Sequence, residues 1–471
     1  MKKGFIFSML CTGLISGSIF FSAINQFTVS AADSVEIDDI TYELNTETNT
    51  YSVTHGIQSL PSADIKSEID GIPVTSIGKG AFAGCAFMTS LKIPDSILSI
   101  DESAFYSCSG LDTINIPSSV VSIGKGAFQD CQSVKEITIP KNVNILSQAI
   151  FYDCTSLEKV SLPDTVALIG QEAFHGCTAI KNISLPDSVV QIDTYAFEGC
   201  SGIKNINIPE QCVQIGDYAF EGCSGLENIS VAKNNPVYDD ENGILFSEGY
   251  TKLIKYPDSS PETVYIVPDN CTVLADWSFT GASKLKEIDL NNVAQIGKDA
   301  FFYCQSLKKI EIPNGVVEIP DNTFAYCSSL ESVRLPSSVT RIGNYAFYTC
   351  GMLEEIIIPA NVTEIGDYSF HNCLSMKNMT ISGKLKDVGT YAFGMYSESQ
   401  EDTPEKVEDF TVKFNGGSEV KSYVKQYDIT FENTGGSSST LWLVVGIVSG
   451  VIVVGGVITF IIFRSRKKNK D

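Results

Sequence analysis

Fourteen cysteines are the residues of this chain best suited to chemistry, as disulfides, as thiolate ligands of a metal, or as a nucleophile. Eleven fall into one slot of a 23-residue period: Cys85, Cys108, Cys131, Cys154, Cys177, Cys200, Cys223, Cys304, Cys327, Cys350 and Cys373. The same slot holds Ala282 in another copy. A position that exchanges Cys for Ala wants a small buried apolar group, which is how a free thiol behaves. Cys212 and Cys271 fall where other copies have Val189 or Val339, and Cys11 lies in the leader. The pattern predicts a buried ladder of free thiols. Bridges between adjacent copies, or a metal ladder, are the alternative, because stacked Cα atoms fall within about 4.4–6.8 Å. No Cys-x-x-Cys pair supports zinc.

Acid–base chemistry has few candidates. There are three histidines, His55, His175 and His371. The last two follow Phe174 and Phe370 in equivalent slots, about eight coils and so roughly 40 Å apart at strand spacing. They do not share a site. Asp239-Asp240-Glu241-Asn242 gathers carboxylates but lacks the spacing of a calcium-binding loop, and reads as an acidic turn. The sequence has no metalloprotease helix motif, phosphate loop or nucleophile elbow. The expectation is a protein that is not an enzyme, with no cofactor and no metal site.

What positions these residues is a repeat. A phenylalanine recurs at Phe82, Phe105, Phe128, Phe151, Phe174, Phe197 and Phe220, then at Phe279, Phe301, Phe324, Phe347, Phe370 and Phe393. The intervals within each run are 23 residues, with one of 22. The unit at 336 to 358 carries Pro336, Val339, Ile342, Gly343, Ala346, Phe347, Cys350, Leu353, Ile356 and Ile358. Alternation before Pro336 marks a short half-buried strand, and proline ends it. The i, i+3, i+6 spacing of Phe347, Cys350 and Leu353 predicts a 3₁₀ or single helical turn. No unit buries its own apolar side chains, so the copies must stack into one core. The expected fold is a mostly β repeat solenoid of about 13 coils, leucine-rich-repeat-like, roughly 60 Å long at strand spacing.

This unit resembles the BspA-type leucine-rich repeat, a 23-residue variant of bacterial surfaces and some protozoa, over about residues 70 to 396. The stretch from Val231 to Pro257 resembles an interruption common in that family, and residues 397–434 resemble its closing segment. The resemblance implies a surface adhesion protein that binds host matrix proteins such as fibronectin and fibrinogen, or neighbouring cells.

The expected organisation follows. Residues 1–32 read as a secretory leader: Lys2 and Lys3, an apolar run, then Val29-Ser30-Ala31-Ala32. An uncleaved anchor is the alternative. A β cap spans 33–72, with strands at Ile40 to Leu44 and Tyr51 to Thr54. The first array, seven coils, spans 73–230, and a segment inserted at 231–266 carries a hairpin, protruding or edge-added, around Asn242-Gly243. The second array, six coils, covers 267–396, and a cap fills 397–434. A stalk at 435–440 leads to 441–463, an uncharged run about 34 Å long as a helix, enough to span a bilayer. The basic tail at 464–471 places that end in the cytoplasm and the body outside, at a plasma membrane. The leader and the family resemblance imply that the membrane is a Gram-positive bacterium's. No Leu-Pro-x-Thr-Gly sorting signal is present.

The whole chain carries 33 basic and 56 acidic residues; without the leader and the tail 26 and 55 remain, a net charge of −29. So acidic a body repels nucleic acid and anionic lipid. Strand alternation gives an exposed face whose side chains vary while the buried slots do not. The candidate ligand-binding residues on it are Lys159, Asn182, Asn205, Asn228, Glu287, Lys309, Arg334 and Ile357. The expected partner is an extracellular protein or glycoprotein. A passive envelope component with no specific ligand is the other reading.

Overall fold

A computed structural model describes residues 34–399 and 402–434. The expected leader, stalk, membrane helix and basic tail lie outside them. Among the described residues no helix is long and apolar enough to cross a membrane.

Every coil has three sides. On the first, strands of three or four residues stack in parallel register, as where Glu136–Thr138 sets Glu136 beside Lys159 of Lys159–Ser161. On the second, two-residue strands stack likewise, Leu168–Ile169 on Gln191–Ile192 on Gln214–Ile215. An offset of one period places each slot over its own copy, which is why the apolar slots make continuous columns.

The third side departs from expectation. It is a run of overlapping four-residue turns instead of 3₁₀ or helical turns: the N–H of Ala325 donates to Asn322 O (3.0 Å) and that of Cys327 to Phe324 O (3.2 Å). Alternate amides leave the coil. Asn322, Phe324 and Tyr326 donate to Asn344, Ala346 and Tyr348 of the next, at 2.9, 2.7 and 2.8 Å. A helical turn would have kept those donors to itself and left the third side unjoined. The two residues flanking Phe324 at distance two, Asn322 and Tyr326, have φ of 54° and 61°. Such a left-handed residue is what a type II turn requires at its third position.

The solenoid has about 17 coils, not 13. Thr50–Gly56 already stacks parallel on Ile72–Ile77 and so forms a coil before Phe82. Lys252–Lys255 stacks on Val273–Leu274, and Tyr256 takes the phenylalanine slot, its ring 5.0 Å from Phe279. Beyond Phe393, Thr411–Phe414 stacks on Asn378–Ile381 and Thr430–Asn433 follows it, adding two more. These coils lack the Ala-Phe pair by which the others are counted.

The phenylalanines form the expected spine, with ring centroids 5.3 Å apart at Phe82–Phe105 and 5.2 Å at Phe301–Phe324. The spine is closed by the helix Ser418–Gln426. Its Tyr423 hydroxyl donates to Phe393 O and accepts from Phe393 N–H, both at 2.9 Å, standing in for one more coil of backbone.

The insert is added at an edge, as one of the two expectations had it: Ile244–Ser247 pairs antiparallel with Lys252–Lys255, the strand that opens the second array's ladder. Tyr238–Glu241 and Ile244–Ser247 pair as a hairpin around Asn242 and Gly243, both left-handed, as a type I′ turn demands. Strand alternation turns Leu245 into one apolar core, ending at the first array, and Ile244 and Phe246 into another, which runs through the second. The hairpin is a wall between two cores. Buried Asn235 fixes its start: its Nδ2 donates to Pro209 O (2.7 Å) and Cys212 O (2.8 Å), and its Oδ1 accepts from the amides of Val237 and Tyr238.

Candidate functional site

The nominated residues lie on the first side. Asn182, Asn205 and Asn228 fall in one column, in register. Glu287 stands beside Lys309, and Glu311 beside Arg334. Ile357 is half exposed (49%), next to Thr380 in the column of Arg334. Lys159 stands with Glu136, Thr113, Asp112, Lys135 and Glu158 around a shallow depression of about 420 Å³. Two nominated cations are already paired across coils, Lys309 with Glu287 at 3.3 Å and Arg334 with Glu311 at 3.0 Å. Those exposed pairs each contribute at most about 1 kcal/mol, so a partner can open them cheaply.

The thirteen cysteines of the described region are all free and buried. Burial pushes twelve of these thiols up, to about 11 at Cys212 and about 12 at Cys223 and Cys373. A thiol held so high is a poor nucleophile near neutral pH. The thiols do have work, which an apolar slot did not foretell: in ten coils the S–H donates to a phenylalanine carbonyl one coil back, as Cys350 does to Phe324 O at 3.2 Å. The histidines serve separately. His175 Nδ1 is 2.9 Å from Glu198 Oε2 and its ring stacks on Tyr152. His371 is 1% exposed, pushed down to about 4 by burial, with Nε2 3.0 Å from Ser397 Oγ. His55 is exposed on Thr50–Gly56.

The third side carries a feature the repeat hides. Two residues before the spine phenylalanine, where Gly80 and Gly126 stand in early coils, later coils place Tyr195, Tyr218, Trp277, Tyr345, Tyr368 and Tyr391. All six are left-handed, with φ from 48° to 61°. Two residues after it, Tyr303 and Tyr326 are left-handed too. A side chain there costs about 1–2 kcal/mol that glycine avoids. Ring follows ring from Tyr195 through Tyr218, Trp277 and Phe302 to Tyr391 and Tyr427, with centroid spacings such as 5.3 Å for Tyr218–Trp277 and 5.0 Å for Tyr391–Tyr427.

Comparison with known proteins gives the lineage. Residues 59–177, 144–258, 256–375 and 317–417 match the BspA type leucine rich repeat region. The chain belongs to the BspA-type leucine-rich repeat family. A leucine rich cell surface protein from Faecalibacterium prausnitzii is similar at 28% identity, over 76% of this chain and 96% of its own, with a TM-score of 0.68. A leucine-rich repeat protein from Bacteroides ovatus is 28% identical over 86% and 100% of the two chains (TM-score 0.53). The pneumococcal vaccine antigen PcpA, at 21% identity over 85% and 97% (TM-score 0.52), shares the fold. No curated protein matches. These relatives are repeat proteins, and none of the comparisons points to an enzyme.

This BspA-type solenoid has a polar seam where its two arrays meet. Lys255 Nζ lies 2.6 Å from Asp258 Oδ1, the side chains 8% and 5% exposed. Glu221 is pushed up to about 7, chiefly by burial, with Glu198, Asp299 and Asp258 adding and Lys255 opposing. Asp299 is pushed up to about 6, again chiefly by burial, with Asp276 and Asp321 adding and Asn322 and Lys298 opposing. A carboxyl raised in the folded state keeps its proton where the unfolded chain has lost it. The stabilisation is therefore present at low pH and is lost as pH rises through about 6 and 7. Thermal unfolding followed by circular dichroism should show a higher midpoint at pH 5 than at pH 7.5. The double variant Glu221→Gln, Asp299→Asn should flatten that rise; an unchanged rise would contradict the assignment.

Proposed function

We propose that this chain is a non-enzymatic adhesion protein, displayed outside the plasma membrane of a Gram-positive bacterium. A C-terminal membrane helix holds it, and the first-side sheet face binds a host or matrix protein or a neighbouring cell. What carries the reading is that face: two long columns of exposed side chains, varying in type, on a backbone ladder of constant register. A fixed scaffold with variable outward residues suits recognition of a large partner. The similarity to a protein described as a cell surface protein supports the location, as do the order of basic, apolar and small residues at the N-terminus and the basic residues after 463.

The test is a binding screen with the full chain in lipid nanodiscs, titrated with fibronectin, fibrinogen and mucin. Saturable binding that falls roughly tenfold in the variant Lys159→Glu, Lys309→Glu supports the reading. Saturable binding indifferent to that variant moves the site off this face. No saturable partner leaves a passive envelope component.

A further inference from the structure

We propose that the aromatic strip on the third side is a second docking surface, fitted to an arginine-bearing segment of a partner protein. It lies on a different side from the sheet face and does not depend on it.

Three observations converge. First, the rings are partly exposed and unbroken from Tyr195 to Tyr427, and Tyr and Trp are the residues that most often anchor protein interfaces. Second, the fold itself does not need an aromatic in the slot before the spine: Gly80, Ser103, Gly126, Ala149, Glu172, Asp299 and Asn322 fill it in other coils, all left-handed, so the bend belongs to the slot and the rings are an addition to it. Third, an exposed aspartate immediately precedes the left-handed ring in three coils: Asp217-Tyr218, Asp276-Trp277 and Asp367-Tyr368. Each pair sets a carboxylate beside a ring along the chain, and Asp276 and Asp367 each use one oxygen to accept an amide hydrogen of the next coil, from Lys298 at 2.8 Å and Thr390 at 2.6 Å.

The pairing selects the partner. A guanidinium donates to a carboxylate through its fork and lies against an aromatic through its plane, whereas an ammonium does only the first well. The surrounding body is strongly acidic, which draws a cationic segment in.

The full chain in nanodiscs is titrated with a labelled peptide of alternating arginine and glycine, with its lysine counterpart, and with a neutral oligosaccharide. The variant Tyr218→Gly, Trp277→Gly, Tyr368→Gly leaves net charge unchanged and puts glycine where the backbone is left-handed, so it should keep its thermal midpoint. The arginine peptide should bind several-fold tighter than the lysine one and lose roughly tenfold or more in the variant. The sheet-face variant Lys159→Glu, Lys309→Glu should not weaken it, which separates this surface from the adhesive face. Equal binding of the two peptides, an unchanged affinity in the glycine variant, or loss confined to the oligosaccharide overturns the proposal.

Discussion

Replacing Phe324 with alanine is expected to lower the free energy of unfolding by about 3–5 kcal/mol. The ring is fully buried, with Phe301 and Phe347 each 5.2 Å away on either side. Alanine removes both stacked contacts and leaves a cavity that the neighbours cannot close. Their own backbones are tied coil to coil, Phe301 N–H to Thr323 O at 2.9 Å and Phe324 N–H to Ala346 O at 2.7 Å. The carbonyl of residue 324 stays, so Cys327 N–H and Cys350 S–H keep their acceptor and the loss is one of packing. Urea unfolding gives the magnitude. Hydrogen exchange gives the place: protection should fall in the coils around residue 324 and hold in the first array, whose core is separate. The same change at Phe220, with one stacked phenylalanine neighbour at 5.8 Å, should cost less. A uniform loss of protection along the chain would refute the coil-by-coil picture.

Lys255→Met is expected to cost about 3–5 kcal/mol at pH 8, because it leaves the Asp258 carboxylate buried without its counter-charge. Lys255 also donates to Thr280 O at 3.3 Å, so the ammonium ties its own turn, 255–258, to the next coil. Burial already pushes the Asp258 carboxyl up, with Lys255 opposing. Without the lysine the carboxyl rises further, and the loss should shrink as pH falls and the proton is taken up. The double variant Lys255→Met, Asp258→Asn removes the stranded charge and should regain more than half of the stability. Chemical denaturation of the three proteins at pH 5 and pH 8 decides. A single variant within about 1 kcal/mol of wild type at pH 8 would mean that water reaches the carboxylate.

The solenoid was legible because one aromatic slot repeats with little variation, and a period of 23 admits few other architectures. The third side was misread for a definite reason. The spacing of Phe347, Cys350 and Leu353 is shared by a helical turn and by consecutive four-residue turns; what separates them is the destination of the amide hydrogens, which no spacing records. Four coils escaped because their slot-holders changed, Tyr256 for phenylalanine being the clearest, followed by Pro257 instead of an Ala-Phe unit's usual residue. The aromatic strip was harder still. Its rings come from slots before and after the spine in different coils, so no fixed interval links Trp277 to Phe302 or Tyr326 to Tyr348. The Asp-Tyr and Asp-Trp dipeptides were the available signal. The paired charges of the sheet face were readable in principle, since Lys309 lies 22 residues from Glu287 and Arg334 lies 23 from Glu311.

The wall formed by the hairpin makes length an adjustable property. Because Leu245 closes one core and Ile244 and Phe246 open the other, each array meets a boundary of its own. Duplication or deletion of a 23-residue unit inside either array moves everything beyond it by about 4.8 Å and leaves the boundary contacts as they were. Recombination between such similar units can therefore lengthen or shorten the reach of the molecule in small equal steps, on either side of the wall, without asking the other side to refold.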